Sequence, residues 1–180
     1  AGKSMVKHVV DTANKLEAVK VVVVSSPDLP QVQDEVSCVA EIVYQKERLG
    51  TGHAVSMAKE LLHEFDGDVL ILYGDMPLIS EQTLQNLIDA KYDAGENTAL
   101  AVLGMVLEDP SRYGRLVVGK GNQLEKIVEY LDASDEERKI KFCNSGVMLI
   151  DGKKLFHLLS EVKNDNAKNG TIGYRAKYGD

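Results

Sequence analysis

Cysteine and proline are scarce in this chain: two cysteines, Cys38 and Cys143, and four prolines in 180 residues. Two isolated thiols make no disulfide framework, so both are expected as free, small apolar groups in a reducing, cytoplasmic setting. A folded chain of this length removes roughly 70% of its unfolded surface from water, enough for a core without disulfide or structural metal. Clustered basic residues are lacking as well. No run of Lys or Arg exceeds two residues, and 21 Lys+Arg against 28 Asp+Glu leave a formal net charge of -7. Affinity for a phosphate backbone is carried by clustered cations, so no nucleic-acid partner is expected. No apolar run nears the ~18 residues of a membrane span, and AGKSMVKHVVD lacks the apolar stretch of a secretory signal, so no membrane partner is expected either. There is no internal repeat, and in particular no hexapeptide period of a β-helix. Ser145 lacks a GxSxG frame, and His8, His53, His63 and His157 show no metal-ligand spacing, which argues against covalent nucleophilic catalysis and a histidine metal site. What remains, with 44% hydrophobic and 27% charged residues, is an ordinary globular domain.

Within it, helical and strand-like segments alternate. Met5, Val6, Val9, Val10, Ala13 and Leu16 recur at helical spacing and predict a helix over 4–16. KVVVVS at 20–25 reads as a buried strand closed by an SSPDLP loop, and CVAEIVYQ at 38–45 as a second strand. LGTGH at 49–53 is a glycine-spaced turn into a helix whose apolar positions are Val55, Ala58, Leu61, Leu62 and Phe65. Residues 69–73 form a short continuous apolar strand that stops at Gly74-Asp75-Met76-Pro77. Ser80 caps a helix to about Tyr92, with Ile79 and Leu84 placed as a hydrophobic staple. A strand spans 98–107, and strands at 115–118 and 124–128 flank a hairpin turn at 119–122. Ser134 and Glu137 form a capping box, and a strand at 140–150 leads to a helix carrying Leu155, Leu158, Leu159 and Val162. This alternation predicts an α/β fold with a mixed, mostly parallel sheet and helices on both faces. Residues 1–169 make one domain, and 170–180 is a tail with no assigned structure.

Open α/β sheets bind ligands beyond the carboxyl ends of their strands, and three segments fall there. The first is YGD, where Asp75 reads either as a turn-former or as a hard oxygen ligand for Mg²⁺ carrying substrate phosphates. The second is LGTGH, whose glycines admit a ligand to the backbone beside a helix N-terminus; a tight strand-to-helix turn would look the same. His53 in it reads as a capping or packing residue rather than a catalytic one. The third groups YGR at 113–115, VEYLDA at 128–133 and FCNSG at 142–146. It sets Glu129 and Asn144 beside apolar strands, where they are surface residues or a hydrogen-bonding set for sugar hydroxyls.

In order, AGKSMVKHVVD, LGTGHAV, ILYGDMPLIS, EDPSRYGR, IVEYLDAS, NSGVMLIDG and NDNA resemble the bacterial N-acetylglucosamine-1-phosphate uridylyltransferases over residues 1 to about 169. The resemblance implies a Rossmann-like nucleotidyltransferase fold. It implies Mg²⁺-dependent uridylyl transfer from UTP to N-acetylglucosamine-1-phosphate, giving UDP-N-acetylglucosamine and pyrophosphate for cell-wall peptidoglycan synthesis. The attack on the α-phosphorus is direct, so the side chains position substrates and none acts as a nucleophile. By the same resemblance Gln45, Gly50 and Thr51 hold uridine, Tyr73 belongs to the substrate site, Asp75 binds Mg²⁺, and Gly114, Glu129 and Asn144 hold the sugar. In that family AGKSM follows a strand, a glycine-rich LAAGxGTRM loop and a Pro-Lys pair. NDNA is followed there by EYYLTD and a metal-binding Asn, and an acetyltransferase β-helix comes later. This sequence starts at AGKSM, runs from Asn169 into GTIGYRAKYGD, and has Leu131 where the family's VEHKDA carries a lysine. Uridylyl transfer within a longer enzyme, open to homo-oligomerisation, is therefore the expectation. A catalytically inactive fragment or binding module of the fold, or a nucleotidyltransferase for another sugar-1-phosphate, are the alternatives.

Overall fold

Ser4 opens the first helix, its Oγ accepting a hydrogen bond from the Lys7 N–H, which satisfies one of the free donors of the first turn. In the computed structural model, which describes residues 2–161, this helix is α1 (Met5–Lys15), with Val9 and Val10 buried. It packs on α2 (Pro30–Val36), a helix that starts at the last residue of the expected SSPDLP loop and fills the unassigned stretch before the expected strand at 38–45. Pro30 sits in the first turn of α2, where a missing N–H costs nothing, so the proline starts a helix here. Strand β1 (Val22–Ser25) and strand β2 (Glu41–Tyr44), on either side of α2, pair in parallel from Val22 with Glu41 to Ser25 with Tyr44. Cys38 lies exposed before β2, and Cys143 is buried; both are free.

The expected long helix after LGTGH is two short ones, α3 (Thr51–Ser56) and α4 (Lys59–Leu62). Met57 and Ala58 between them donate to Ala54 O and Val55 O, a tighter spacing than the α-helical ladder. The five other strands among the described residues are β3 (Asp68–Ile71), β4 (Leu100–Val106), β5 (Arg115–Val118), β6 (Leu124–Val128) and β7 (Phe142–Asp151). Strand β7 is the spine, antiparallel to β3, β4 and β5, while β5 and β6 form the expected hairpin. Every pairing in this sheet is antiparallel, and β1–β2 is the parallel pair among the described residues. The α/β class holds, but the mostly parallel pairing is corrected. The run 147–150 is buried on both faces, and such a run reads the same whichever way its neighbours point.

Helices do cover both faces, and β7 shows it by alternation. Val147 and Leu149 pack with Leu84 and Leu87 of α5 (Glu81–Asp93). Met148 and Ile150 pack with Leu155 and Leu159 of α7 (Gly152–Glu161). Successive strand residues face opposite sides, so one strand anchors two helices, each buried side chain contributing about 1.5–3 kcal/mol. The caps read from sequence are present: Ser80 Oγ accepts from Thr83 N–H at 3.0 Å, and Ser134 with Glu137 closes a capping box on α6 (Asp135–Arg138); Ile79 packs on the cluster that contains Leu84. Val162, the NDNA segment and the 170–180 tail lie outside the described residues.

Candidate functional site

The site assembles from the segment after β2, the start of α3, the segment after β3 and the first half of β7. Gln45 extends β2, its N–H donating to Ser25 O at 2.8 Å. Its side-chain Nε2 donates to Gly50 O at 3.1 Å and lies 2.9 Å from His53 Nδ1. Gly50, with φ +98° and ψ 177°, is the cap residue of α3; a side chain would be strained in that conformation. Thr51 begins the helix, and its Oγ1 accepts from the Tyr73 hydroxyl at 3.4 Å, a long bond near the limit of such contacts.

Tyr73 follows β3, and its ring lies against the backbone of Gly146. This contact depends on a bulge in β7. Between the pairs Met148–Val102 and Asn144–Gly104, β7 advances by four residues while β4 advances by two. The displaced groups are satisfied by the NSG side chains. Asn144 Oδ1 accepts from Gly146 N–H at 2.8 Å, while Ser145 Oγ donates to Leu103 O at 2.6 Å and accepts from Val147 N–H at 3.2 Å. Such bulges re-aim side chains at the cost of local pairing. Gly146 has φ +86°, and a Cβ there would stand 2.9 Å from Tyr73 Cζ and 3.0 Å from its hydroxyl oxygen.

On the far side of the bulge, Asn144 N–H donates to Gly114 O at 2.8 Å. A Cβ on the buried Gly114 would stand 3.1 Å from Glu129 Oε1, so the carboxylate lies directly over that backbone. Beside it Arg115 is only 2% exposed. Its guanidinium donates to the main-chain carbonyls of Pro110, Ser111, Tyr113 and Arg138, with the Tyr130 ring 5.7 Å away. Carbonyl oxygens and a π face together offset the cost of burying that charge. Burial pushes the neighbouring Cys143 thiol above its ordinary range, partly opposed by the Arg115 charge.

Seven of the eight site residues expected from sequence thus form one chain of contacts. It runs from Gln45 and Gly50 through Thr51, Tyr73 and the bulge to Asn144, Gly114 and Glu129. Asp75 stands apart, exposed in the turn where Met76 N–H donates to Tyr73 O. Among the described residues no group of three His, Cys, Asp or Glu is arranged to hold a metal ion. A cleft of about 610 Å³ along α1, lined by Lys3, His8, Asp11 and Lys15 among others, contains none of the site residues. Sequence reasoning missed the parts played by His53, Arg115, Ser145 and Gly146. A signal existed for the last two, since Ser-Gly breaking an otherwise apolar strand marks a bulge.

A helix-covered α/β sheet that gathers amide, hydroxyl, glycine and carboxylate groups into one path is an architecture for binding a polar ligand, and many activities use it. Residues 1–142 match the family described as MobA-like NTP transferase domain, and the chain belongs to that family. It is 48% identical over 168 residues to the bifunctional protein GlmU of Rhodospirillum rubrum, covering 93% of this chain and 37% of that protein. The GlmU of Caldanaerobacter subterraneus subsp. tengcongensis is 41% identical over 167 residues, with 93% and 36% covered. The chain therefore spans a little over a third of these relatives. Among solved structures, a UDP-glucose pyrophosphorylase complexed with UDP-glucose superposes with a TM-score of 0.68 at 16% identity, covering 93% of this chain and 70% of that one. A putative glucose-1-phosphate thymidylyltransferase from Bacillus anthracis gives 0.67 at 15% identity, with 93% and 65% covered. At these identities the two structures bear on the fold alone.

Proposed function

We propose that this chain carries the uridine- and sugar-holding part of a sugar-1-phosphate uridylyltransferase, with UTP and N-acetylglucosamine-1-phosphate as substrates. The observation behind this reading is the unbroken contact path from Gln45 to Glu129. It sets groups suited to a base edge at one end and groups suited to sugar hydroxyls at the other, with Tyr73 and Gly146 between them. Gln45, Gly50 and Thr51 bind the base, and Gly114, Glu129 and Asn144 orient the sugar so that its phosphate oxygen faces the α-phosphorus of UTP. A P–O bond forms there, the α–β anhydride bond breaks, and pyrophosphate leaves. No enzyme nucleophile takes part, so the residues contribute by orientation, which in well-aligned reactions supplies about 7–11 kcal/mol.

Asp75 is the residue that would hold Mg²⁺. An exposed carboxylate suits an ion that keeps several waters and takes its other ligands from substrate phosphates. When bound, the ion offsets phosphate charge. UDP-N-acetylglucosamine as product belongs to cell-wall precursor synthesis in the cytoplasm. Two free thiols agree with that setting, and among the described residues no helix is long and apolar enough to cross a membrane.

Thermal shift of the purified chain with UTP, CTP, GTP and ATP, each with and without Mg²⁺, tests the reading. A nucleotide at 100 times its Kd stabilises by about 2.7 kcal/mol, which for this size raises Tm by roughly 5–10 °C. UTP is expected to give the largest rise, and Asp75→Asn to remove its Mg²⁺-dependent part. A larger rise with another nucleotide would reassign the base, and no rise with any would leave the site without a nucleotide ligand.

A further inference from the structure

We propose that His53 is a positioning residue that sets which end of the Gln45 amide meets the base, and so selects a base bearing N3–H, uracil, over cytosine. The proposal rests on the uridine reading of this site. An amide is nearly symmetric in shape, and its N and O ends are told apart by what surrounds them. Near Gln45 that choice is forced. Gly50 O, 3.1 Å away, is a carbonyl and only accepts, so the amide end facing it is the NH₂. The second hydrogen of that NH₂ is directed to His53 Nδ1 at 2.9 Å. Nδ1 accepts only in the neutral ring with its proton on Nε2. With both N–H groups engaged on the protein, Oε1 is the polar group that the half-buried side chain has left for a ligand.

Uracil offers N3–H between two carbonyls and pairs with an accepting oxygen. Cytosine presents a lone pair at N3, which a carbonyl oxygen repels. A site holding buried polar groups discriminates strongly against a partner that leaves them unpaired. Without the His53 acceptor, Gly50 O alone holds the amide, and rotation to present NH₂ costs one contact fewer. Discrimination then falls even though Gln45 itself is intact.

The experiment is calorimetric titration of the full chain with UMP and with CMP, for the wild type, His53→Phe and His53→Asn. The wild type is expected to prefer UMP at least tenfold. Phe keeps a flat ring without an acceptor and is expected to reduce that preference at least fivefold, mainly by weakening UMP. Asn places an accepting oxygen near the former Nδ1 and is expected to restore most of the preference. If Phe weakens both nucleotides by the same factor, His53 serves only the local fold and the proposal fails. It also fails if Asn behaves like Phe. Long-range ¹H–¹⁵N correlation of the nucleotide-free chain reads the His53 tautomer directly, with the Nε2–H form expected; an Nδ1–H ring would overturn the proposal whether or not nucleotide binds. A wild type in the Nε2–H form that binds neither nucleotide would overturn the uridine reading, and the selectivity with it.

Discussion

Gly146→Ala tests whether the β7 bulge holds the two halves of the site together. Two penalties are expected. The backbone at φ +86° is a conformation in which a residue with a Cβ pays about 1–3 kcal/mol. The Cβ would also enter the Tyr73 ring, 2.9 Å from Cζ and 3.0 Å from the hydroxyl oxygen, and such overpacking typically costs about 1–3 kcal/mol. A combined loss of about 2–6 kcal/mol is a large part of the 5–15 kcal/mol that holds a domain folded. With a urea m-value of about 2 kcal/mol/M, a 3 kcal/mol loss lowers the unfolding midpoint by about 1.5 M. The two penalties separate in a double-mutant cycle with Tyr73→Ala, which removes the ring but not the backbone strain. The double variant should be more stable than additivity predicts by about 1–3 kcal/mol. A Gly146→Ala cost under about 1 kcal/mol, or additivity within about 0.5 kcal/mol, would show that Tyr73 does not rest on this backbone. The contact path from Gln45 to Asn144 would then be broken.

Arg115→Met should lower stability by at least about 3 kcal/mol, because it removes the bonds of a buried guanidinium to four main-chain carbonyls, and a hydrogen bond to a charged group contributes about 1.5–3 kcal/mol. Arg115→Lys should restore little, since one ammonium cannot span carbonyls from Pro110 to Arg138 as the planar fork does; a lysine variant melting within about 2 °C of wild type, under 1 kcal/mol at this size, would refute this. Asp11 is held down at about 2 by hydrogen bonds from Lys3 and Lys7, and Glu137 at about 2 by Lys126 and Ser134. Both folded values lie below the ordinary 3.8 and 4.5, so their stabilisation is present above those values and is lost as pH falls toward 2. Urea midpoints measured from pH 5 to pH 2 should decline, with a shallower slope in Asp11→Asn and Glu137→Gln; an unchanged slope in both variants would show that these pairs contribute nothing.

Elements set by local signals were readable from the chain. Ser4, Ser80 and Ser134 begin helices because their hydroxyls meet nearby N–H groups, and the hairpin around 119–122 needs only its own residues. Elements that depend on distant partners were not. Nothing local tells that β7 runs opposite to β3 and β4, since Val147 to Ile150 are equally buried in either direction. Pro30 reads as loop punctuation until the segment is seen to start a helix. The break at Met57 and Ala58 carries no Gly or Pro to announce it.

For the site, order along the chain pointed to the candidate residues better than to the residues that support them. Glu129 and Asn144 stood out by type beside apolar strands, while Gln45, Thr51 and Tyr73 were marked by the resemblance of their segments to a family. His53, Arg115 and Gly146 act on other protein atoms, and those atoms lie up to 73 residues away in sequence, as Gly146 and Tyr73 do. Arg115 looks like a surface cation by composition, yet it is the buried post on which the Gly114 loop is built. His53, three residues beyond a glycine cap, passes for helix packing until its Nδ1 is found against the Gln45 amide. A residue that determines the orientation of another leaves a weak trace in sequence, because its partner is chosen by the fold. For His53 that choice is a single contact, Nδ1 at 2.9 Å from the Gln45 amide nitrogen, made across a turn that the sequence shows only as two glycines.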